Sequence, residues 1–240
     1  LANTGADLGT VGPDCLNGFG SVRARNAIEA VYDDRVVEDT VNDSSSYEFL
    51  VIVTPDDPQL KITLAWDDEP ASPLPVQALV NDLDLVVTSP SGVRTYPLTI
   101  DPGNPEAAAT ADTEDHLNNM EQVIVDNPMP GAWRVEIRGY AVPVGPQTFS
   151  VATTPKPTQC SSSGIVGLNR QRYPLDATMT VTVVDCDLNT DDSVSETVQI
   201  MVSSDDEPSG EMIILTEEDP AASVFTASIP MSTTNSPGVL

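Results

Sequence analysis

The 240-residue chain carries 37 acidic against 10 basic side chains and a single histidine, a formal net charge of −27. That surplus repels phosphate backbones and anionic lipid surfaces, so nucleic-acid and membrane-surface partners are set aside. Forty per cent hydrophobic residues with only 5% aromatics, 21 prolines and 14 glycines suits short strands and turns rather than helical bundles or disorder, and no apolar run nears the roughly 18 residues of a membrane span.

No basic n-region with an apolar core opens the chain, and it begins at Leu1 instead of a methionine, so it is expected to be part of a longer polypeptide. Residues 1–35 show a turn at Gly12-Pro13, then Asn17-Gly18-Phe19-Gly20 and a helix from Ser21. Ser21 is the expected N-cap, and Ala24, Ala27, Ile28 and Val31 recur at helical spacing on one face. A segment this short makes no core of its own, so the stripe is expected to pack on something upstream.

From Val36 to Thr154 the period changes to two. Alternation at Tyr47, Phe49, Val51 and Val53, at Lys61–Trp66, Gln122–Val125, Trp133–Ile137 and Thr148–Ala152, between turn residues, predicts short strands of a β-sandwich. Trp66 and Trp133 fall inside these runs and read as core. The run Ala78–Val87, closed by Thr88-Ser-Pro-Ser-Gly92, is the most informative: Asp82 and Asp84 sit at alternate positions and share a face. Two like charges so close call for a cation.

Oxygen-bearing residues also gather at Asp67 and Asp68, and at Asp112, Glu114, Asp115, Asn118, Asn119 and Glu121. Hard cations take such oxygens, so calcium is the expected cofactor, with Asp67, Asp82, Asp84, Asp115, Asn118, Asn119 and Glu121 as candidate ligands. The competing reading is a solvated acidic rim. His116 is read as a loop residue, with nearness to a metal left open.

Residues 155–159 form a proline-rich linker. Beyond it, 160–240 predicts strands near Ala177–Val184, Glu196–Ser203, Glu211–Leu215 and Ala222–Ile229, with no basic residue after Arg172. Asp185, Asp187, Asn189, Asp191, Ser193 and Glu196 have the oxygen spacing of a calcium loop, but Thr190 replaces the glycine an EF-hand requires and a strand precedes it. A β-turn calcium site and a plain acidic turn both remain open. Cys160 and Cys186 could close a bridge worth roughly 3 kcal/mol, or stay as two buried thiols; Cys15 is left over.

Four blocks in order carry a resemblance: Ala78–Val87 with its turn Thr88–Gly92, Asn118-Asn119-Met120-Glu121-Gln122-Val123, Pro130-Gly131-Ala132-Trp133-Arg134-Val135, and Gly139-Tyr140 through Gly145-Pro146-Gln147-Thr148-Phe149. Together they resemble the β-jelly-roll domain that follows the catalytic domain in a branch of the subtilisin-like serine proteases. Residues 1–35 look like the closing portion of such a catalytic domain, and 160–240 resembles the immunoglobulin-like modules of long bacterial exported proteins. The resemblance implies a mainly β chain: a helical remnant, a jelly-roll β-sandwich and an acidic immunoglobulin-like module. Such jelly rolls often bind calcium in their loops.

A subtilase needs converging Asp, His and Ser, and no serine here has the nucleophile's setting, so no catalytic residue is assigned. The resemblance implies the rear of a secreted endopeptidase, located outside the cell or at its surface, whose polypeptide substrates belong to an upstream catalytic domain. The alternative is a calcium-dependent bacterial surface or adhesion protein whose β-modules are themselves the function. The orphan helix of the first segment favours the protease.

Overall fold

The structure is a computed structural model; it describes residues 1–73, 78–158, 164–170, 172–185, 188–191, 193–204, 208–218 and 223–232. Of the described residues 45% are strand and 6% helical, so the chain is mainly β, as its period-two runs predict. A 3-10 turn (Ala2–Thr4) and α1 (Ala24–Tyr32) precede β1 (Val36–Val41), β2 (Ser46–Val53), β3 (Gln59–Trp66), β4 (Asp82–Thr88), β5 (Arg94–Thr95), β6 (Met120–Asp126), β7 (Gly131–Ala141) and β8 (Gln147–Thr154). Then follow β9 (Ile165–Leu168), β10 (Thr178–Val184), β11 (Thr197–Val202), β12 (Glu211–Glu217) and β13 (Val224–Pro230).

The first eight strands form two four-stranded sheets, ordered β1-β8-β3-β6 and β2-β7-β4-β5. Neighbours are nested: β1 lies beside β8, β2 beside β7, β3 beside β6 and β4 beside β5, as if one long hairpin had been rolled up about its tip. Leu60, Ile62 and Leu64 of β3, Leu83 and Leu85 of β4, Val135 and Ile137 of β7 and Val151 of β8 have no solvent exposure. Each such side chain contributes roughly 1.5–3 kcal/mol of apolar burial. Trp66 and Trp133 are also buried.

Strands β9 to β13 form one five-stranded sheet ordered β11-β12-β13-β10-β9. Met179, Val181 and Val183 of β10, Ile213 and Leu215 of β12, and Phe225 and Ile229 of β13 make its core. Compact units divide similarly: one holds Leu1–Val51, Asp57–Pro128 and Trp133–Pro157, the other Ile52–Asp56, Met129–Ala132 and the described residues from Thr158 on. Cys160, Cys186 and Asp187 lie outside the described residues; Cys15 is a free, exposed thiol.

The helix start differs from expectation. Ser21 does not cap α1: the N-cap is Arg23, with no side-chain hydrogen bond. Ser21 instead exchanges backbone hydrogen bonds with Ala6 at 2.8 and 2.9 Å, which keeps it extended and delays the helix. Gly20, at φ +90°, makes this approach possible, because a Cβ there would lie 2.1 Å from the Ala6 carbonyl oxygen. Within α1 only Ala30 is buried, while Ala24, Ile28 and Val31 of the apolar stripe face solvent.

Candidate metal centre

Strand β4 opens with Asp82 and Asp84, whose carboxylates leave one face while Leu83, Leu85 and Val87 enter the core on the other. Across from them β7 carries an extra residue: the register runs Asp82↔Ala141 and then Leu83↔Gly139, skipping Tyr140. Gly139 is required at this bulge, since a Cβ would lie 2.2 Å from the carbonyl oxygen of Asn42. Tyr140 stacks on the His116 ring, with centroids 4.2 Å apart and planes inclined by 26°.

That ring places Nδ1 3.1 Å from Asp82 Oδ2 and 3.3 Å from Asp84 Oδ1. One ligand-type atom from each of Asp82, Asp84 and His116 falls within 4.8 Å of the others, and among the described residues no other such trio of His, Cys, Asp or Glu occurs. Asp84 also lines an open cleft of about 410 Å³ with Ser44–Ser46, Glu114, Glu136, Arg138 and Tyr140.

Burial dominates the electrostatics. Asp82 and Asp84 are 4% and 1% exposed, and Glu121 on β6 is 1% exposed. Loss of solvation pushes Asp84 up to about 7; His116 and Arg138 oppose this, and the negative charges of Glu114 and Asp82 add to it. Burial also raises Asp82, against the opposing pull of His116. It raises Glu121 well above the carboxylate range, although the Leu85 N–H donates to Glu121 Oε2 at 2.7 Å. Asp82 Oδ1 and Glu121 Oε1 are buried without a hydrogen bond among the described residues. Buried acceptors left in this state are costly unless a donor or cation reaches them.

A hydrogen-bonded lock sets the position of β4. Asp68 accepts the Val80 and Asn81 N–H groups, each at 2.8 Å. The fully buried Asn81 donates its amide to the Val144 carbonyl and to Gln147 Oε1, at 2.8 and 2.7 Å, and its own carbonyl accepts Trp66 Nε1–H at 3.1 Å. Gln147 in turn donates to the Asp67 carbonyl at 3.0 Å. Asn81 and Gln147, which belong to the first and last motif blocks, therefore meet directly.

The remaining candidate ligands are placed differently. Asp67 is exposed. Asp115 is buried and its two oxygens accept the Leu117 N–H at 2.9 Å and the Asn118 amide at 2.7 Å. The Asn119 amide donates to the Trp66 carbonyl at 2.9 Å.

In the second acidic segment, Asp191 Oδ1 accepts the Ser193 N–H and hydroxyl at 3.0 and 2.6 Å, and Glu196 accepts the N–H and hydroxyl of Thr190. These bonds hold Asp191 and Glu196 below the usual carboxylate range. Asp185 and Asn189 are half-buried at the end of β10 and just beyond it. The residue that the sequence left aside and the structure brings in is His116. Its signal was its position, the one imidazole of the chain inside the oxygen-rich loop.

No family model matches the chain. Two curated proteins of Dictyostelium discoideum are similar to part of it: serine protease/ABC transporter B family protein tagB, 31% identical over 93 residues, and tagD, 31% identical over 105. Each match covers 39% of this chain and 5% of the relative, so the chain spans a small piece of the proteins it matches. The CspB protease of Clostridium perfringens aligns with 54% of this chain and 28% of its own, at 12% identity and a TM-score of 0.32. The lipase BlEst2 of Bacillus licheniformis in propeptide form aligns with 81% of this chain and 43% of its own, at 11% identity and a TM-score of 0.28. Scores that low carry no argument about fold or activity. The chain has a partial, low-identity similarity to proteins named as serine proteases.

Proposed function

We propose that this chain is the accessory region behind the catalytic domain of an exported subtilisin-like serine endopeptidase. The observation that carries the reading lies in residues 1–35: Leu16, Val22, Ile28, Val31 and Tyr32 stand 57% to 94% exposed, large apolar side chains that α1 and its preceding turns leave uncovered. A free-standing β-module gains nothing from such a face, whereas the closing helix of a larger domain buries it. Similarity to proteins named as serine proteases supports the same reading. The nested strand order supports a jelly roll for residues 36–154, and residues 160–240 follow a proline-rich linker as an immunoglobulin-like spacer.

In this reading the polypeptide substrates and the Ser/His/Asp triad belong to an upstream catalytic domain, and the protein works outside the cell or at its surface. The Asp82–Asp84 pair holds a divalent cation that ties β4 to the loop before β6. Calcium suits its carboxylate oxygens. A calcium-dependent adhesin built of β-modules is the weaker reading, because it leaves the apolar face of α1 unexplained.

Treating the intact parent protein with a fluorophosphonate probe tests the proposal. We expect a labelled serine upstream of Leu1. An unlabelled parent, or another β-module directly upstream, overturns it.

A further inference from the structure

His116 changes what kind of ion the cluster can hold. Calcium and magnesium bind through oxygen, whereas imidazole nitrogen beside carboxylates is the donor set of zinc and its first-row neighbours. Nδ1 stands 3.1 and 3.3 Å from one oxygen of each aspartate. Two donors on a tetrahedral ion with bonds of about 2.0–2.2 Å are themselves roughly 3.3–3.6 Å apart, so these atoms need open by only a few tenths of an ångström to seat one.

The surroundings are those of a built site. Asp82 and Asp84 have side chains only 5% and 1% exposed, and Asp82 Oδ1 is without a hydrogen bond among the described residues. The Tyr140 ring, delivered by the β7 bulge, fixes the plane of the imidazole. Asp84 also borders the open cleft, which leaves room for water on an ion's remaining positions.

We propose that Asp82, Asp84 and His116 form a binding site for a zinc-class transition-metal ion, with His116 Nδ1 as the ligand that sets this preference over calcium. The proposal rests on the reading that the Asp82–Asp84 pair holds a cation, and it names the ion. Binding places the metal where Nδ1 would otherwise hold a proton, which leaves to solvent or resides on Nε2.

Because the chain has one histidine, its ring nitrogens give a single set of imidazole signals in a nitrogen-15 NMR spectrum. The full 240-residue chain, freed of metal with chelator and dialysed, is titrated with zinc chloride and separately with calcium chloride. We expect zinc to shift the Nδ1 resonance and raise the thermal midpoint, with calcium leaving Nδ1 in place. His116→Gln should weaken zinc binding at least about 10-fold and spare any calcium response. Calcium raising the midpoint while zinc leaves Nδ1 unmoved overturns the inference and keeps the cation reading. Neither ion registering removes both. The native-chain spectra decide even where the variant fails to fold.

Discussion

Two acidic stretches of this chain look alike in sequence and differ in physics. Around Asp82 and Asp84 the carboxylates are buried, raised in pKa and short of hydrogen bonds. Around Asp191 and Glu196 they are exposed or half-buried, lowered in pKa and engaged with their own turn. The density of acids is similar, so density alone says nothing about a site. What distinguishes the first stretch is that folding has removed water from its charges while leaving Asp82 Oδ1, Asp84 Oδ1 and Glu121 Oε1 without hydrogen bonds among the described residues, a state a bound cation relieves.

The largest expected effect is on the pH dependence of stability in chelator. Folded Asp84 keeps its proton up to about 7, while the unfolded carboxyl gives it up near 3.8. Between those values the native state binds more protons, so its stability is greatest below this window and falls as pH rises through it. Asp82 and Glu121 act with the same sign. The loss is on the order of 4 kcal/mol for Asp84 alone and shows as a falling urea midpoint. Asp191 and Glu196, lowered in pKa, act in the opposite direction but at lower pH, where their stabilisation is lost as pH falls below the ordinary carboxylate range; a midpoint that rises between about 4 and 7 would erase the contrast between the two stretches.

A smaller effect follows from removing one of the two like charges. Near pH 7.5 in chelator, Asp84→Asn should raise the stability of the metal-free chain by about 1–2 kcal/mol while weakening zinc binding. Thermal melts with and without zinc read both. A variant that is less stable in chelator would mean that the His116 contact already compensates the charge.

The smallest effect belongs to the other stretch. Asp191→Asn should change stability by no more than about 0.5 kcal/mol and leave metal titrations untouched. Lost metal binding in this variant would show that the exposed turn, too, is a site.

The strands were legible because alternation survives where one face is buried, as in Trp133–Ile137, and Lys61–Trp66 keeps it in sequence although both of its faces are covered. The two-residue β5 and the short β9 gave no such signal. Ser21 misled because its bonding partner, Ala6, lies fifteen residues back, outside the reach of any capping rule. Asp82 and Asp84 could be paired on paper because strand geometry is local. His116 could not be joined to them, since its approach depends on a loop path and on a bulge in β7. The lock made by Asn81, Asp68 and Gln147 was hidden for the same reason, its members being 13 and 66 residues apart along the chain.

The nesting of β1 through β8 also sets an order of assembly. Val87 meets Thr95 across only a short span, but Val36 meets Ala152, so the outermost pair closes a loop of more than a hundred residues. Loop-closure entropy makes the inner contacts accessible first and the outer pair last. During synthesis, β1 therefore waits for nearly the whole first unit to emerge before its neighbour β8 exists. Until then its free edge is open to strands of other chains.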